Sequence, residues 1–227
     1  MPDSETAPSQ VRDVTGPQVL DAEGAAALVS SYAAVTPTAA QKDIGRIDAH
    51  MGRFIGLSPL CLVSTADAAG KQDVTPRGDP PGSFKVVDEK TIAIADRPGN
   101  NRLDTLKNIL ENPEISLIFL LPGVAETVRV AGTAKLSVDP ELLESMAVQG
   151  KAPRCAIVIT VRQAYLHCAK ALIRSKLWDG AYAVPKGSFP SISRMVGDQV
   201  GFTEEQKKIA EARTEIAYRD GLWAPIT

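Results

Sequence analysis

The chain has 227 residues, 25 of them basic and 27 acidic, for a net charge of -2. That balance excludes broad electrostatic attraction to nucleic acid or to an anionic membrane, so any anion must be met by a local cluster. With 44% hydrophobic and 23% charged residues the composition is that of an ordinary globular protein, long enough for a real core.

Residues 1–17 are polar, contain Pro and Ser, carry no period, and read as a flexible tail. The start has neither the basic nor the apolar block of a signal peptide, and no apolar run approaches a membrane span, so a cytoplasmic protein is expected. The three cysteines, Cys61, Cys155 and Cys168, are few, odd in number and widely spaced, which agrees with a reducing compartment. From residue 18 the expectation is a single domain: a helical prelude over 18–58, a barrel core over 59–190 and a helical extension over 191–227.

In the prelude, the Ala-rich stretch from Gln18 to Tyr32 predicts one helix, and Thr36 with Pro37 starts another toward Ile47. Met51, Phe54, Ile55 and Leu57 then recur at helical spacing. At Ser58 the pattern changes to strands. Leu60 to Ser64, a turn at Asp67 to Gly70, and Gln72 to Arg77 predict a hairpin, followed by the GDPPG loop. Phe84 to Val87 and Thr91 to Ala95 predict a second hairpin. Further strands are expected at Ile115 to Leu121, Thr127 to Leu136 and Cys155 to Leu166. The last of these is apolar on both faces at first, as in a strand with one face in a barrel and the other under a helix or partner. About six strands with short links and few helices favour a mainly β, closed antiparallel barrel with added helices over a parallel sheet.

Between Asp96 and Pro113 the sequence reads DRPGNNRLDTLKNILENP. Pro98 and Gly99 make a turn, Asn100 is a candidate cap, and Leu103, Leu106 and Leu110 are expected on one helix face, with Asn112 and Pro113 stopping it. Arg97 and Arg102 stand at this helix entrance, where the positive end of the helix dipole disfavours cations by ~0.3–1 kcal/mol. Either they are solvated surface arginines, or an anion such as a phosphate sits between guanidinium groups and exposed amides. Downstream, HCAKALIRSKLWD places Lys170 and Arg174 four apart, on one face if helical. His167 and Cys168 adjoin it without further metal ligands nearby, so no metal site is expected and no residue stands out as a catalytic acid or base. Dinucleotide, P-loop, zinc-protease and serine-hydrolase motifs do not occur.

The order of LVSTADAAGKQDVTPRGD, DRPGNNR, ENP, ISLIFLLPG and ETVRVAGTAKL resembles the FMN-binding split-barrel class of pyridoxamine-5′-phosphate-oxidase-like proteins. Within it, VTPRGDPPG, DRPGNNRLDTLKNILENP and HCAKALIRSKLWD resemble a bacterial subgroup expected to be FMN-dependent enzymes. The resemblance covers about residues 48–195 and implies a split β-barrel, bound FMN, and a homodimer with the cofactor at its interface. It implies that Arg102, helped by Asp96, Arg97, Asn100 and Asn101, grips the FMN phosphate. It places Thr75, Arg77 and Thr127 beside the flavin ring or substrate, and Lys170 and Arg174 at the pocket's edge. An FMN-dependent oxidoreductase acting on a small molecule is the expectation, with a non-catalytic binder of flavin, haem or F420 as the alternative. Oxidation of vitamin B6 is a weaker one, because the Ser-Arg-Lys signature of those oxidases is replaced by Asn-Asn-Arg and their C-terminal signature is not evident.

Overall fold

The computed structural model describes residues 19–223, so the expected tail over residues 1–17 lies outside the described residues. The chain divides into two units, Met1–Gln41 and Lys42–Thr227. The first contains α1 (Ala22–Ser31) and α2 (Pro37–Gln41). Asp21 starts α1 by accepting from Gly24 N at 2.8 Å, so the helix begins later than the Ala-rich composition suggested. The second helix ends well short of Ile47. Asp43 turns its carboxylate back to Gly45 N, and Gly45 takes a left-handed φ of 62°, which helix cannot continue.

In the second unit Asp48 caps α3 (Ala49–Leu57), whose Met51, Phe54 and Ile55 are buried at the expected i, i+3, i+4 spacing. Seven strands follow, one at each segment expected to be extended: β1 (Leu60–Ala66), β2 (Gln72–Gly78), β3 (Lys85–Asp88), β4 (Thr91–Ala95), β5 (Glu114–Leu120), β6 (Thr127–Ser137) and β7 (Ala156–His167). They form one antiparallel sheet in the order β2-β1-β5-β6-β7-β4-β3. The fold is mainly β with helices, as expected, but the sheet is not closed: its edges β2 and β3 do not pair with each other.

The opening follows from the register. β3 covers only Thr91 to Ala93 of β4, leaving the end of β4 without a strand on that side. There, side chains bridge the gap. Arg77 at the end of β2 bonds Asp96 just beyond β4, and Asp79 bonds Arg97. The long β6-β7 hairpin divides at a bulge, where Ala131 faces Gln163 but Gly132 faces Val161. Beyond it, Ala156 to Thr160 of β7 pair with β4, while Thr127 to Gly132 of β6 lie between β5 and the free end of β7.

In the main core Cys61, Val63, Ile92, Ile94, Leu117, Phe119, Val128, Val130, Ile157 and Ile159 are buried, and Phe84 meets Phe119 edge-on at 5.4 Å. The other face of β7 packs Ala156 and Val158 against Met146, Leu142 and Leu143 of and after α5 (Pro140–Ser145), a helix the sequence reading did not foresee. After β4 comes α4 (Asp104–Glu111), which starts four residues later than Asn100. Its buried face is Thr105 and Ile109, with Leu106 partly buried, whereas Leu103 and Leu110 are exposed. The expected Leu103/Leu106/Leu110 face is therefore corrected, because Leu103 sits outside the helix in a left-handed conformation and rotates the register. The chain ends in α6 (Lys170–Ser175), α7 (Ile192–Val200) and α8 (Glu204–Asp220). Among the described residues no helix is long and apolar enough to cross a membrane.

Candidate functional site

The edge strand β2 alternates between half-buried Asp73, Thr75 and Arg77 and exposed Gln72, Val74 and Pro76. Arg77 donates from Nη1 to Asp96 Oδ1 at 2.6 Å, while its Nε is buried and has no partner. Asp96 is fixed in turn by its own amide, which donates to Cys155 O at 3.0 Å. Arg97 is more completely used. Its Nε bonds Asp79 Oδ2 at 2.8 Å, its Nη2 reaches Met146 O at 2.6 Å and its Nη1 reaches Lys151 O at 3.4 Å. Trp223 Nε1 donates to the other Asp79 oxygen at 3.0 Å. With side chains only 11% and 5% exposed, Arg97 and Asp79 form a structural bridge across the open seam.

Next comes the turn ahead of α4. Asn100 Oδ1 accepts from Arg102 N at 3.1 Å, and Asn101 and Leu103 have left-handed φ of 58° and 61°. Such backbone is uncommon outside glycine and costs ~1 kcal/mol or more per residue. Leu103 gives α4 no side-chain cap, so the first amides of the helix are not satisfied by a capping side chain. Arg102 stands beside them with its side chain 71% exposed, bonded only to Asp104 Oδ2 at 2.7 Å. That bond lifts the guanidinium above its usual range, with Asp73 of β2 adding to it. It also holds the Asp104 carboxyl below the usual carboxylate range, helped by Lys107 and Lys71. Thr75, Arg77, Asp96, Arg97, Asn100, Asn101 and Arg102 thus lie along the seam between β2, the end of β4 and the entrance of α4.

Thr127, Lys170 and Arg174 are elsewhere in the chain. Thr127 is buried at the start of β6, opposite His167 at the end of β7. Lys170 and Arg174 are both exposed on α6, which follows directly. From Arg77 the register runs through Cys61 and Phe119 to Val128, three strand steps or about 14 Å along the curved sheet. Within one chain, then, the ten predicted residues fall into two groups. Trp178 is tied by Nε1 to Val124 O at 2.9 Å, which anchors the segment after α6. The Nδ1 of His167 is buried without a partner, and burial, then Lys42 and Arg129, push its pKa down.

Sequence reasoning missed Asp79, Trp223 and Asp104. Asp104 was within reach, two residues from Arg102. Trp223 lies 144 residues from Asp79, so nothing local announces that contact. Among the described residues no group of three or more His, Cys, Asp or Glu is placed to hold a metal ion.

The sequence model for pyridoxamine 5′-phosphate oxidase matches residues 47–168, which contain all seven strands and α4. A comparison with curated proteins finds no match. Solved structures that are similar include HupZ of Group A Streptococcus, at 22% identity and a TM-score of 0.44, covering 53% of this chain and 93% of that one. An FMN-binding protein from Syntrophomonas wolfei has 14% identity and a TM-score of 0.39, with 51% and 82% covered. An F420 reductase has 16% identity and a TM-score of 0.36, with 49% and 92% covered.

Proposed function

Because the chain belongs to the pyridoxamine 5′-phosphate oxidase family, we propose that it is a cytoplasmic FMN-dependent oxidoreductase acting on a small molecule. The observation that carries this reading is the turn before α4, where uncapped helix amides, two left-handed residues and an exposed Arg102 follow one another in the chain. A terminal phosphate fits there. It would accept from the helix amides and take Arg102 from Asp104, trading one exposed ion pair for a doubly charged partner. Asn100 and Asn101 would hold the turn, and Thr75 with the unpartnered Nε of Arg77 would offer polar groups along the neighbouring strand. Arg97 and Asp96 keep that strand end in place rather than meeting the phosphate themselves. Bound flavin would supply the hydride or electron transfer, and the protein would orient it and shape the cleft.

In this reading a second copy of the chain would bring Thr127, Lys170 and Arg174 to the seam, as a homodimer. The free state of all three cysteines agrees with a reducing compartment.

One observation favours turnover-free binding as a second reading: Arg77, Asp79, Asp96, Arg97, Arg102 and Asp104 along the seam are matched with one another in ion pairs. Flavin reducible by NADH or NADPH and reoxidised by a definite acceptor supports the enzyme; flavin inert to every physiological donor supports the binder, and released deazaflavin or haem would replace FMN. Formation of pyridoxal phosphate would identify vitamin B6 oxidation.

The anchoring role is tested by Arg102→Ala. Losing a charge-assisted hydrogen bond worth about 1.5–3 kcal/mol should weaken flavin binding roughly ten- to hundredfold, with folding intact because the side chain is exposed. Unchanged flavin content in a folded variant refutes the assignment.

A further inference from the structure

The chain beyond α6 is bonded mainly to itself. Every residue from Asp179 to Ile192 is exposed, and no helix or strand stands between Ser175 and Ile192. Connections of that length without regular structure are uncommon in compact domains and usually serve a function. Left-handed backbone at Lys176, Gly180 and Gly187, with φ of 48°, 66° and 86°, turns this one repeatedly. Beyond it α7 and α8 clasp each other. Arg194 pairs with Glu204 and Glu211, Lys207 pairs with Asp198, and Ser193 Oγ lies 2.6 Å from Thr214 Oγ1. α8 buries no residue and α7 only Gly197, whose neighbours are Lys207 and Phe202 of the same hairpin.

One hydrogen bond joins this hairpin to the sheet. Among the described residues, the single hydrogen bond or salt bridge from the stretch Asp179 to Trp223 to any residue before Lys176 is Trp223 Nε1 donating to Asp79 Oδ1 at 3.0 Å. Its acceptor is a fixed post: Asp79 is 5% exposed and bonded to Arg97, which is itself held by Met146 O and Lys151 O. The chain's other tryptophan marks the opposite end of the stretch, where Trp178 Nε1 donates to Val124 O at 2.9 Å just before the exposed connection begins.

We propose that residues 179–222 form a hinged arm, which pivots in the connection after Trp178 and is latched to the sheet by Trp223 on Asp79. The internal ion pairs let α7 and α8 move as one body, and the glycines at positive φ in an exposed connection absorb the rotation. With one hydrogen bond and no buried apolar side chain against the sheet, little holds the arm shut. The latch also occupies one oxygen of the carboxylate that bridges the open seam, so release frees that oxygen beside the candidate site. The motion itself does not depend on the flavin reading.

The test is a spin-label distance measurement on the full-length protein. Labels go on Lys208→Cys in α8 and Val138→Cys after β6, both exposed positions, in a Cys155→Ser, Cys168→Ser background that leaves only buried Cys61. The latched arm should give one main distance. Trp223→Phe keeps an aromatic ring but removes the donor, and should raise the ratio of displaced to latched arm at least about tenfold, read as a second, broader distance with helical circular dichroism unchanged. Trp178→Phe, at the pivot end, should keep the main distance. An unchanged distribution in Trp223→Phe overturns the proposal, because packing would then be what holds the hairpin. Equal release in Trp178→Phe overturns the assignment of pivot and latch. Loss of helicity together with release also overturns it, since α7 and α8 would then fold only against the sheet and could not move as one body.

Discussion

Replacing Gly132 with alanine should damage the fold more than any comparable change at an exposed glycine. A Cβ built at Gly132 falls 1.9 Å from Thr160 O and 2.9 Å from its carbonyl carbon, where even close C–H to oxygen contacts need about 3.3 Å. The strands would have to part by more than ~1 Å, and neither can retreat. Thr160 is paired on its far side with Thr91 of β4, Val161 N donates to Lys90 O at 2.7 Å, and Gly132 is paired on its other side with Ile115 of β5. Overpacking of about 1–3 kcal/mol plus roughly two ladder hydrogen bonds at about 1 kcal/mol each gives a loss of about 3–5 kcal/mol. With a denaturant slope of about 2 kcal/mol/M, the urea midpoint should fall by roughly 1.5–2.5 M. Unfolding followed by the fluorescence of Trp178 and Trp223 measures it, with Gly56→Ala as control, since a Cβ there meets nothing within 4 Å. That control should be neutral or gain up to ~1 kcal/mol from helix propensity. A Gly132→Ala midpoint within about 0.2 M of the native one would refute the claim that this bulge admits only glycine.

Asp79→Asn leaves the Arg97 guanidinium largely buried without its carboxylate, and should cost about 3–5 kcal/mol while altering Trp223 emission; a loss below about 1 kcal/mol would mean the seam does not depend on this pair. Burial pushes the Cys61 thiol up to about 12, so a thiol reagent at pH 8 should label exposed Cys168 quickly and Cys61 only on unfolding, and rapid labelling of Cys61 in the native protein contradicts its position in the core. Hydrogen bonds from Lys207 and Arg194 hold the Glu204 carboxyl down to about 2. Its folded pKa lies below the ordinary glutamate value of 4.5, so its contribution to the α7-α8 clasp is complete above that pH and lost as pH falls toward 2. Glu204→Gln should remove that pH dependence from a helical circular-dichroism titration, and an unchanged profile would exclude Glu204 as its source.

Much of the fold was legible along the chain because the governing patterns are local. Alternation in LCLVSTA and EISLIFL marks strands with one buried face, and both appear as β1 and β5 with Cys61, Val63, Leu117 and Phe119 inside. Met51, Phe54 and Ile55 recur at helical spacing, and they are the buried face of α3. The turn at DRPGNN and the exposed arginine after it were legible for the same reason, since Pro, Gly and Asn dictate backbone shape over a few residues.

Long-range partners decided the rest. Arg97 and Arg102 look alike in sequence, five residues apart in one turn, yet Arg97 is consumed by Asp79, Met146 and Lys151, and Arg102 remains exposed. The Leu103 and Leu110 face looked apolar enough to bury, but a left-handed Leu103 turned Thr105 and Ile109 inward. Trp178 and Trp223 reach Val124 and Asp79 across stretches of chain that no period connects. Composition and periodicity determined which segments are strands, helices and turns, because those depend on neighbours within one or two turns of chain. Which charges are spent on the fold and which stay free for a ligand was decided only when the open sheet brought distant segments together, because a Coulomb partner is set by distance in space and not by separation in sequence.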